Sequence, residues 1–122
     1  MDRQTRGRHG EHLAKCYLLK HKLSLVEENF RCRWGEIDLI MRDGNTLVFI
    51  EVRFRRSGSR VDARASVDTH KQRKLCRAAA IYMAGQSGPQ PDARFDVVAV
   101  SDNNGTARVE DWIRNAFECT AL

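Results

Sequence analysis

The sequence predicts an α/β sandwich in which helices flank a small mixed β-sheet. Three observations lead to this class. Hydrophobic patterns occur in the order helix, three strands, helix, strand. The turn sequence Arg-Asp-Gly-Asn at residues 42–45 is typical of a hairpin and joins the second strand to the third. The second helix separates the third strand from the fourth, which permits a crossover that returns to a parallel strand.

The first helix and the three strands that follow it are predicted from local patterns. An apolar stripe predicts the helix over about residues 10–22. The members of this stripe are Leu13, Ala14, Tyr17 and Leu18. Apolar runs bounded by turn residues then predict strands within residues 23–32, 35–42 and 46–55.

The second helix has clear signals at both ends. It is expected to begin at Asp68 or Thr69, either of which is a good N-cap, and to stop near Gly85. Its buried stripe is expected to consist of Leu75, Cys76, Ala79, Tyr82 and Met83. In the chain, this helix therefore lies between the hairpin and the fourth strand.

The C-terminal part of the chain is expected to contain three short elements. A fourth strand is predicted over residues 95–100, and a short edge strand over residues 107–110. A closing helix is predicted over residues 112–118, in which Trp112 and Phe117 are assigned to the core rather than to a ligand.

Length and composition indicate one domain over residues 1–122. A chain of this length buries roughly two-thirds of the surface that its unfolded form exposes. No apolar run approaches the roughly 18 residues of a membrane span, and no secretory apolar segment follows Met1. The chain is therefore expected to be cytoplasmic, without a membrane partner.

The cysteines are spread along the chain without a C-x-x-C pair, so a zinc cluster is not expected. A disulfide framework is not expected either, because no export signal is present. The prediction is four buried free thiols, namely Cys16, Cys32, Cys76 and Cys119.

Basic residues are concentrated in one segment. Residues 53–77 contain nine basic and two acidic residues, a net charge of +7 in a chain whose total is +5. A basic segment beside carboxylates suggests that a polyanion is held near a metal, although a solvated surface is the alternative. The candidate nucleic-acid-binding residues are Arg55, Arg56, Arg60, Lys71, Arg73, Lys74 and Arg77.

Acidic residues interrupt two strands that should be apolar. Asp38 lies on the second strand, and Glu51 on the third shares a face with Arg53, because residues two apart on a strand point the same way. An unpaired carboxylate buried there would cost several kcal/mol, so it requires a cation, a proton or a metal. The candidates are a metal site or a simple buried ion pair.

Two further polar residues lie at the edges of the helical stripes. Glu11 is on or beside the inward face of the first helix, where a carboxylate can also serve only to stabilise the helix dipole. Gln72 lies at the edge of the stripe of the second helix.

Several stretches of the chain resemble the YraN family of bacteria. They are Gly-Glu-x-x-Ala at 10–14, Asn-Phe-Arg-Cys at 29–32, Gly-Glu-Ile-Asp-Leu-Ile at 35–40, Phe-Ile-Glu-Val-Arg at 49–53, Ser-Val-Asp at 66–68 with Lys-Gln at 71–72, and Arg-Phe-Asp-Val-Val at 94–98. The family in turn looks like the PD-(D/E)xK nuclease superfamily and, within it, the archaeal Holliday junction resolvases. This resemblance implies a restriction-endonuclease-like core, Mg²⁺ or Mn²⁺ as cofactor, DNA as partner and a homodimer.

The resemblance also implies roles for individual residues. Glu11, Asp38 and Glu51 correspond to the metal ligands, and Gln72 to an additional polar residue near the site. Arg53 stands where the superfamily usually has lysine. This departure matters because a guanidinium stays protonated and cannot take a proton from water, although it can stabilise negative charge.

The chemistry of these residue types favours phosphodiester hydrolysis. Carboxylates on adjacent strands can hold Mg²⁺ with open positions for water and phosphate, and a nearby cation stabilises the transition state. The predicted function is a metal-dependent endonuclease acting on branched or otherwise structured DNA. The alternatives are an inactive nucleic-acid-binding module with a nuclease fold and, less favoured, a protein-interaction scaffold.

Overall fold

A computed structural model of the protein describes residues 3–56, 62–103 and 105–119. The elements occur in the order helix, three strands, helix, two strands. They are α1 (Arg3–Lys20), β1 (Ser24–Cys32), β2 (Gly35–Asp43), β3 (Thr46–Arg56), α2 (Thr69–Ala84), β4 (Ala93–Asn103) and β5 (Thr106–Phe117).

The strands form one mixed sheet in the order β1-β2-β3-β4-β5. Neighbouring strands are antiparallel except β3 and β4, which are parallel and pair from Leu47↔Ala93 to Arg56↔Asp102. The crossover through α2 makes the parallel pair possible, as the element order predicted. The predicted order, three consecutive strands and then a crossover to a parallel strand, is therefore confirmed.

The two helices cover opposite faces of this sheet. Successive residues of β3 alternate between the two cores, because side chains of a strand point alternately to either face. Phe49 packs with α2 residues in one core, whereas Val48 and Ile50 pack with Ala14 and Leu18 of α1 in the other. The α/β class with a mixed sheet flanked by helices is confirmed.

The signals at the ends of α2 act as predicted. The carboxylate of Asp68 accepts a hydrogen bond of 2.8 Å from the backbone N–H of Lys71, and Gly85 forms the C-cap. Helix α1 differs from its prediction because it begins at Arg3, well before the apolar stripe starts. Among the residues that the structure describes, no helix is long and apolar enough to cross a membrane.

The predicted fourth strand and edge strand lie within β4 and β5, whereas the predicted closing helix over residues 112–118 was wrong. In place of a short edge strand and a helix, β5 runs continuously and pairs antiparallel with β4 from Asn103↔Thr106 to Phe95↔Phe117. Antiparallel pairing with the preceding strand, β4, outweighs the local helical pattern, which is a weak determinant by itself. Trp112 and Phe117 are partly buried and pack against the α1 and α2 cores respectively, in line with their assignment to the core.

The prediction of four free thiols was also wrong. Cys76 of α2 and Cys119, just after β5, form a disulfide with a sequence separation of 43 residues. The reason follows from β5, whose return along β4 brings residue 119 beside α2, a proximity that a C-terminal helix did not suggest. Cys16 and Cys32 are free and partly buried.

Candidate metal and nucleic-acid site

The candidate site begins where β2 and β3 separate. Their paired residues run from Asp43↔Thr46 to Leu39↔Ile50, and Asp38 follows immediately beyond that pair. One carboxylate oxygen of Asp38 accepts a hydrogen bond of 2.8 Å from the backbone N–H of Val52. The side chain thus extends the ladder in place of a backbone carbonyl, which fixes the carboxylate between the two strands.

Asp38 and Glu51 form a closely coupled acidic pair. Glu51 is only 4% exposed, on the strand that neighbours Asp38. Burial raises the pKa of Asp38 well above its usual value, and the negative charge of Glu51 raises it further. Burial also raises the pKa of Glu51, against the opposing effect of the cations of Lys71 and Arg53. The pair therefore disfavours two full negative charges unless a cation joins it.

Two more carboxylates approach Asp38 from another side. Glu11 of α1, Glu36 of β2 and Asp38 each place one carboxylate oxygen within 4.8 Å of the others. We call these residues the acidic triad. Burial raises the pKa of Glu11, a hydrogen bond from Asn29 opposes the shift, and Glu36 and Glu28 add to it. The triad thus concentrates negative charge at the start of β2.

Asn29 of β1 holds two members of the acidic triad together. Its Nδ2 donates hydrogen bonds of 2.8 Å to Glu11 and 2.7 Å to Glu36. Asn29 has a φ of +52°, a left-handed conformation that asparagine adopts more readily than most residues. Arg31 donates a further hydrogen bond of 3.1 Å to Glu36. One irregular residue in β1 therefore orients carboxylates from two elements.

The acidic triad fits a hard divalent cation. Ligand oxygens lie about 2.0–2.6 Å from Mg²⁺ or Ca²⁺, so two oxygens on one ion are separated by no more than about 5 Å. The three carboxylate oxygens of the triad lie within 4.8 Å of one another, so their separations are compatible with one shared ion. The nearby carboxylate of Glu51 adds to the negative charge that an ion would balance.

The arrangement differs in part from the set inferred from sequence. Glu11 and Asp38 come together, but the third oxygen of the triad belongs to Glu36. Glu51 is not a member of this group, although its charge acts on Asp38. Sequence reasoning missed Glu36 and Asn29. Glu36 could have been found, because it is two residues from Asp38 on the same strand and the two therefore share a face. Asn29 carries no comparable signal.

Two cations reach Glu51 from different elements. Arg53 donates through Nη1 to Glu51 at 3.3 Å, through Nε to the Ser66 hydroxyl at 3.1 Å, and through Nη2 to the Ser66 carbonyl. The guanidinium is therefore fastened to the loop before α2. Lys71, which sequence reasoning assigned to nucleic acid, places its Nζ 3.6 Å from the same Glu51 oxygen that Arg53 contacts.

Gln72 supports the loop that leads into α2. Its side-chain Nε2 donates a hydrogen bond of 3.0 Å to the Val67 carbonyl, at a partly buried position. This contact steadies the first turn of α2, from which Lys71 reaches Glu51. The Gln72 amide thus contacts a backbone carbonyl and acts on the carboxylates only through Lys71.

The other candidate nucleic-acid-binding residues are distributed over several surfaces. Arg73 is exposed on α2, and Lys74 lines a cleft beside the acidic triad. Arg77 lies over the indole of Trp34, and Arg55 is half-buried, with a guanidinium nitrogen 3.8 Å from Glu110 of β5. Two candidates lie outside the described part of the chain, namely Arg60 and the side chain of Arg56.

Comparison with known proteins identifies the family of the chain. Residues 10–100 match the family described as "Uncharacterised protein family UPF0102". The UPF0102 protein of Nitrosospira multiformis is 48% identical over 118 residues, which is 97% of each chain. A UPF0102 protein of Nitrosomonas europaea is 47% identical over 114 residues, covering 93% of this chain and 94% of the relative. One from Geotalea uraniireducens is 42% identical over 117 residues, covering 96% and 92%.

These matches cover most of the chain and confirm the YraN resemblance that its motifs predicted, since YraN is another name for the same family. They extend through the segments that carry the acidic triad, Glu51 and Lys71. The protein therefore belongs to the UPF0102 family.

Proposed function

We propose that this protein is a divalent-cation-dependent endonuclease that hydrolyses phosphodiester bonds in DNA, with branched or otherwise structured DNA as substrate. The observation that supports the proposal most strongly is the acidic triad, whose oxygens lie within 4.8 Å of one another. Lys71 and the basic surface of α2 adjoin it, so one place offers ligands for a cation and groups that attract phosphate.

Glu11, Glu36 and Asp38 would hold Mg²⁺ or Mn²⁺, with Glu51 completing the negative environment. When bound, such an ion lowers the pKa of a coordinated water and neutralises charge on the phosphoryl oxygens. Asn29 keeps Glu11 and Glu36 at a fixed separation through its two hydrogen bonds. The Val52 N–H does the same for Asp38, so the carboxylates are oriented before any ligand arrives.

Lys71 is proposed to take the role that the family resemblance places at residue 53. The Arg53 guanidinium is occupied by the Ser66 hydroxyl and carbonyl and stays charged, so its proposed role is to position Glu51 and the loop. The Lys71 ammonium is compact and has three donors that rotate freely, so it can contact Glu51 and a phosphate together. It would stabilise negative charge that develops in the transition state.

The first test is cleavage of labelled four-way junction, single-stranded and linear duplex DNA in Mg²⁺, in Mn²⁺ and in EDTA. We expect metal-dependent cutting that disappears in Asp38→Ala and persists in Asp111→Asn, a control that removes an exposed carboxylate from β5. Circular dichroism of each variant checks that it folds. If no substrate is cut although DNA is still bound, the protein is an inactive binding module and the proposal is wrong.

The second test separates Lys71 from its neighbours. Lys71→Gln is expected to lower the cleavage rate by about 100-fold or more, as for other groups that stabilise a transition state electrostatically. The matched control is Arg73→Gln, which removes an exposed cation two residues away on α2. Equal, small losses in the two variants would contradict a catalytic role for Lys71.

A further inference from the structure

A tryptophan lies at the tip of the β1–β2 hairpin, beside the site. Arg33 and Trp34 form the connection between β1 and β2. The guanidinium carbon of Arg77 lies 4.3 Å from the Trp34 ring centroid, and that of Arg33 lies 5.2 Å from it. The indole is partly buried, belongs to neither hydrophobic core and has two guanidinium groups against it.

Trp34 forms one wall of a cleft of about 310 Å³. The residues at the start of α2 that also line it are Asp68, His70, Lys71 and Lys74. Glu36 of the acidic triad and Arg53 line the cleft too, so it adjoins the candidate metal site. The cleft therefore combines an aromatic wall, several nitrogen groups and access to the candidate metal site.

These features fit one nucleotide better than other ligands. A planar aromatic wall suits a base, because base–aromatic stacking works with any of the four bases. Lys71 and Lys74 suit the phosphates on either side of it. The volume of about 310 Å³ is at the lower end of the range for small-molecule sites and is enough for one nucleotide.

We propose that this cleft binds one unpaired nucleotide of single-stranded DNA, with its base stacked on Trp34 and its flanking phosphates against Lys71 and Lys74. The proposal rests on the function proposed above and specifies its substrate, namely DNA that contains an unpaired base. A base in a continuous duplex is stacked on its neighbours and cannot reach the indole without being extruded. An incoming base replaces one of the guanidinium groups on Trp34, and the released arginine can then pair with phosphate.

The test compares the affinity of Trp34 variants for single-stranded and duplex DNA in EDTA, where no cleavage occurs. The probes are a fluorescein-labelled oligothymidylate and a blunt duplex of the same length, measured by anisotropy. Trp34→Ala is expected to weaken single-strand binding by about 5-fold or more, the range found for loss of one base–aromatic stack, and to change duplex binding by less than about twofold. Trp34→Phe keeps an aromatic face and is expected to restore most of the single-strand affinity.

A loss in Trp34→Ala that is equal for both probes, or no loss for either, would overturn the proposal. It would also be overturned if Trp34→Phe behaves like Trp34→Ala, since the side chain would then matter for shape and not for stacking. Thermal denaturation of each variant confirms that it remains folded. Since binding is measured without metal, failure of this site leaves the Asp38→Ala cleavage test unaffected, and failure of cleavage leaves the single-strand preference intact.

Discussion

The carboxylate of Asp38 accepts a hydrogen bond from the Val52 N–H where β2 and β3 separate, and the charges of Glu51, Glu11 and Glu36 all act on it. This position orients the oxygen atoms well, but it also brings negative charges together in a poorly solvated place. Such repulsion costs stability in the protein without metal. Asp38 is therefore expected to lower the free energy of unfolding of the metal-free protein, while it provides a ligand for the proposed metal ion.

We expect the protein without metal to become less stable as the pH rises above the usual carboxyl pKa of about 4, as far as these carboxyl groups determine it. The folded-state pKa values of Asp38, Glu51 and Glu11 are raised, so the folded state binds protons more tightly than the unfolded state. The stabilising contribution is complete below the unfolded pKa of about 4 and is lost as the pH rises through the folded values.

Asp38→Asn should remove much of this dependence. At pH 7.5 in EDTA the variant is expected to be more stable than wild type by about 1–2 kcal/mol, with a smaller difference near pH 4.5. Urea denaturation at both pH values measures the effect. Asp111→Asn, at an exposed site on β5, should leave the pH dependence unchanged. A variant that is less stable than wild type at pH 7.5 would show that the carboxylate is not under repulsion.

Divalent cations are expected to stabilise the wild type and not Asp38→Asn. An ion that binds only the folded state raises the free energy of unfolding by about 2.7 kcal/mol at a concentration 100 times its Kd. Protons compete for the same oxygens, so the effect should weaken as the pH falls toward 5. A thermal shift titration with Mn²⁺ at pH 7.5 and pH 5 measures it. Equal shifts in wild type and variant would place the ion elsewhere.

Arg53 is expected to act mainly through structure. Arg53→Lys loses the paired bonds to the Ser66 hydroxyl and carbonyl, because an ammonium cannot reproduce the planar fork. We expect a loss of about 1–2 kcal/mol in the free energy of unfolding, measured in urea. Lys71→Arg at the other cation near Glu51 is the matched control and should cost less than about 0.5 kcal/mol. Equal stability of Arg53→Lys and wild type would contradict an anchoring role.

The site was predictable where the sequence itself fixes neighbours. Glu51 and Arg53 had to share a face, since they are two residues apart on one strand, and they are in contact at 3.3 Å. Asn29 could not be predicted as the residue that joins Glu11 to Glu36, because its role depends on a left-handed backbone conformation and on where α1 packs. Local spacing carries no information on either.

At the scale of elements, α2 and β5 show opposite relations between sequence and structure. The ends of α2 depend on Asp68 and Gly85, which act within a few residues, so the sequence predicts them correctly. β5 depends on pairing with β4, and that pairing has two register shifts, so the end of β5 lacks the regular alternation by which a strand is predicted. The local pattern therefore failed over residues 112–118, although it predicted the strand within β4.

The bond between Cys76 and Cys119 connects these two elements and should contribute measurably to stability. Closing a loop of this length restricts the unfolded chain and is expected to stabilise the protein by about 2–4 kcal/mol. Urea denaturation of oxidised protein with and without a phosphine reductant measures the difference. Cys76→Ser with Cys119→Ser should abolish it, whereas Cys16→Ser with Cys32→Ser should not. Identical curves with and without reductant would rule out a stabilising bond.

At the scale of the whole molecule, the α/β class was predictable because hydrophobic periodicity and turn chemistry agreed along most of the chain. Part of the charge distribution was predictable too, since Lys71 and Lys74 of the basic segment line one cleft with Glu36 of the acidic triad. Sequence alone could not predict which basic residues pair with other residues of the fold and which are exposed to a ligand. Arg53 and Arg55 have partners within the fold, and sequence alone does not separate them from exposed Lys74.

This division predicts which charges contact DNA. Arg73→Gln with Lys74→Gln is expected to weaken single-strand binding and to reduce the slope of log K against log salt concentration by about 1.4, because two phosphate contacts are lost. Anisotropy titrations between 50 and 200 mM salt, taken as approximate limits, measure the slope. The control is Arg108→Gln on β5, an exposed position at the far edge of the sheet. A slope that does not change would show that α2 does not contact the DNA backbone.

The parallel pairing of β3 with β4 has a consequence for how the protein is made. Every residue of the candidate site, from Glu11 to Lys71, precedes β4 in the chain, yet β3 lies between β2 and β4 in the sheet. Synthesis runs from the N-terminus, so all the site residues exist before the strand that completes their support. A chain that ends before Ala93 is therefore expected to contain every acidic ligand and to bind no metal. The acidic triad is thus expected to assemble only after β4 has paired with β3.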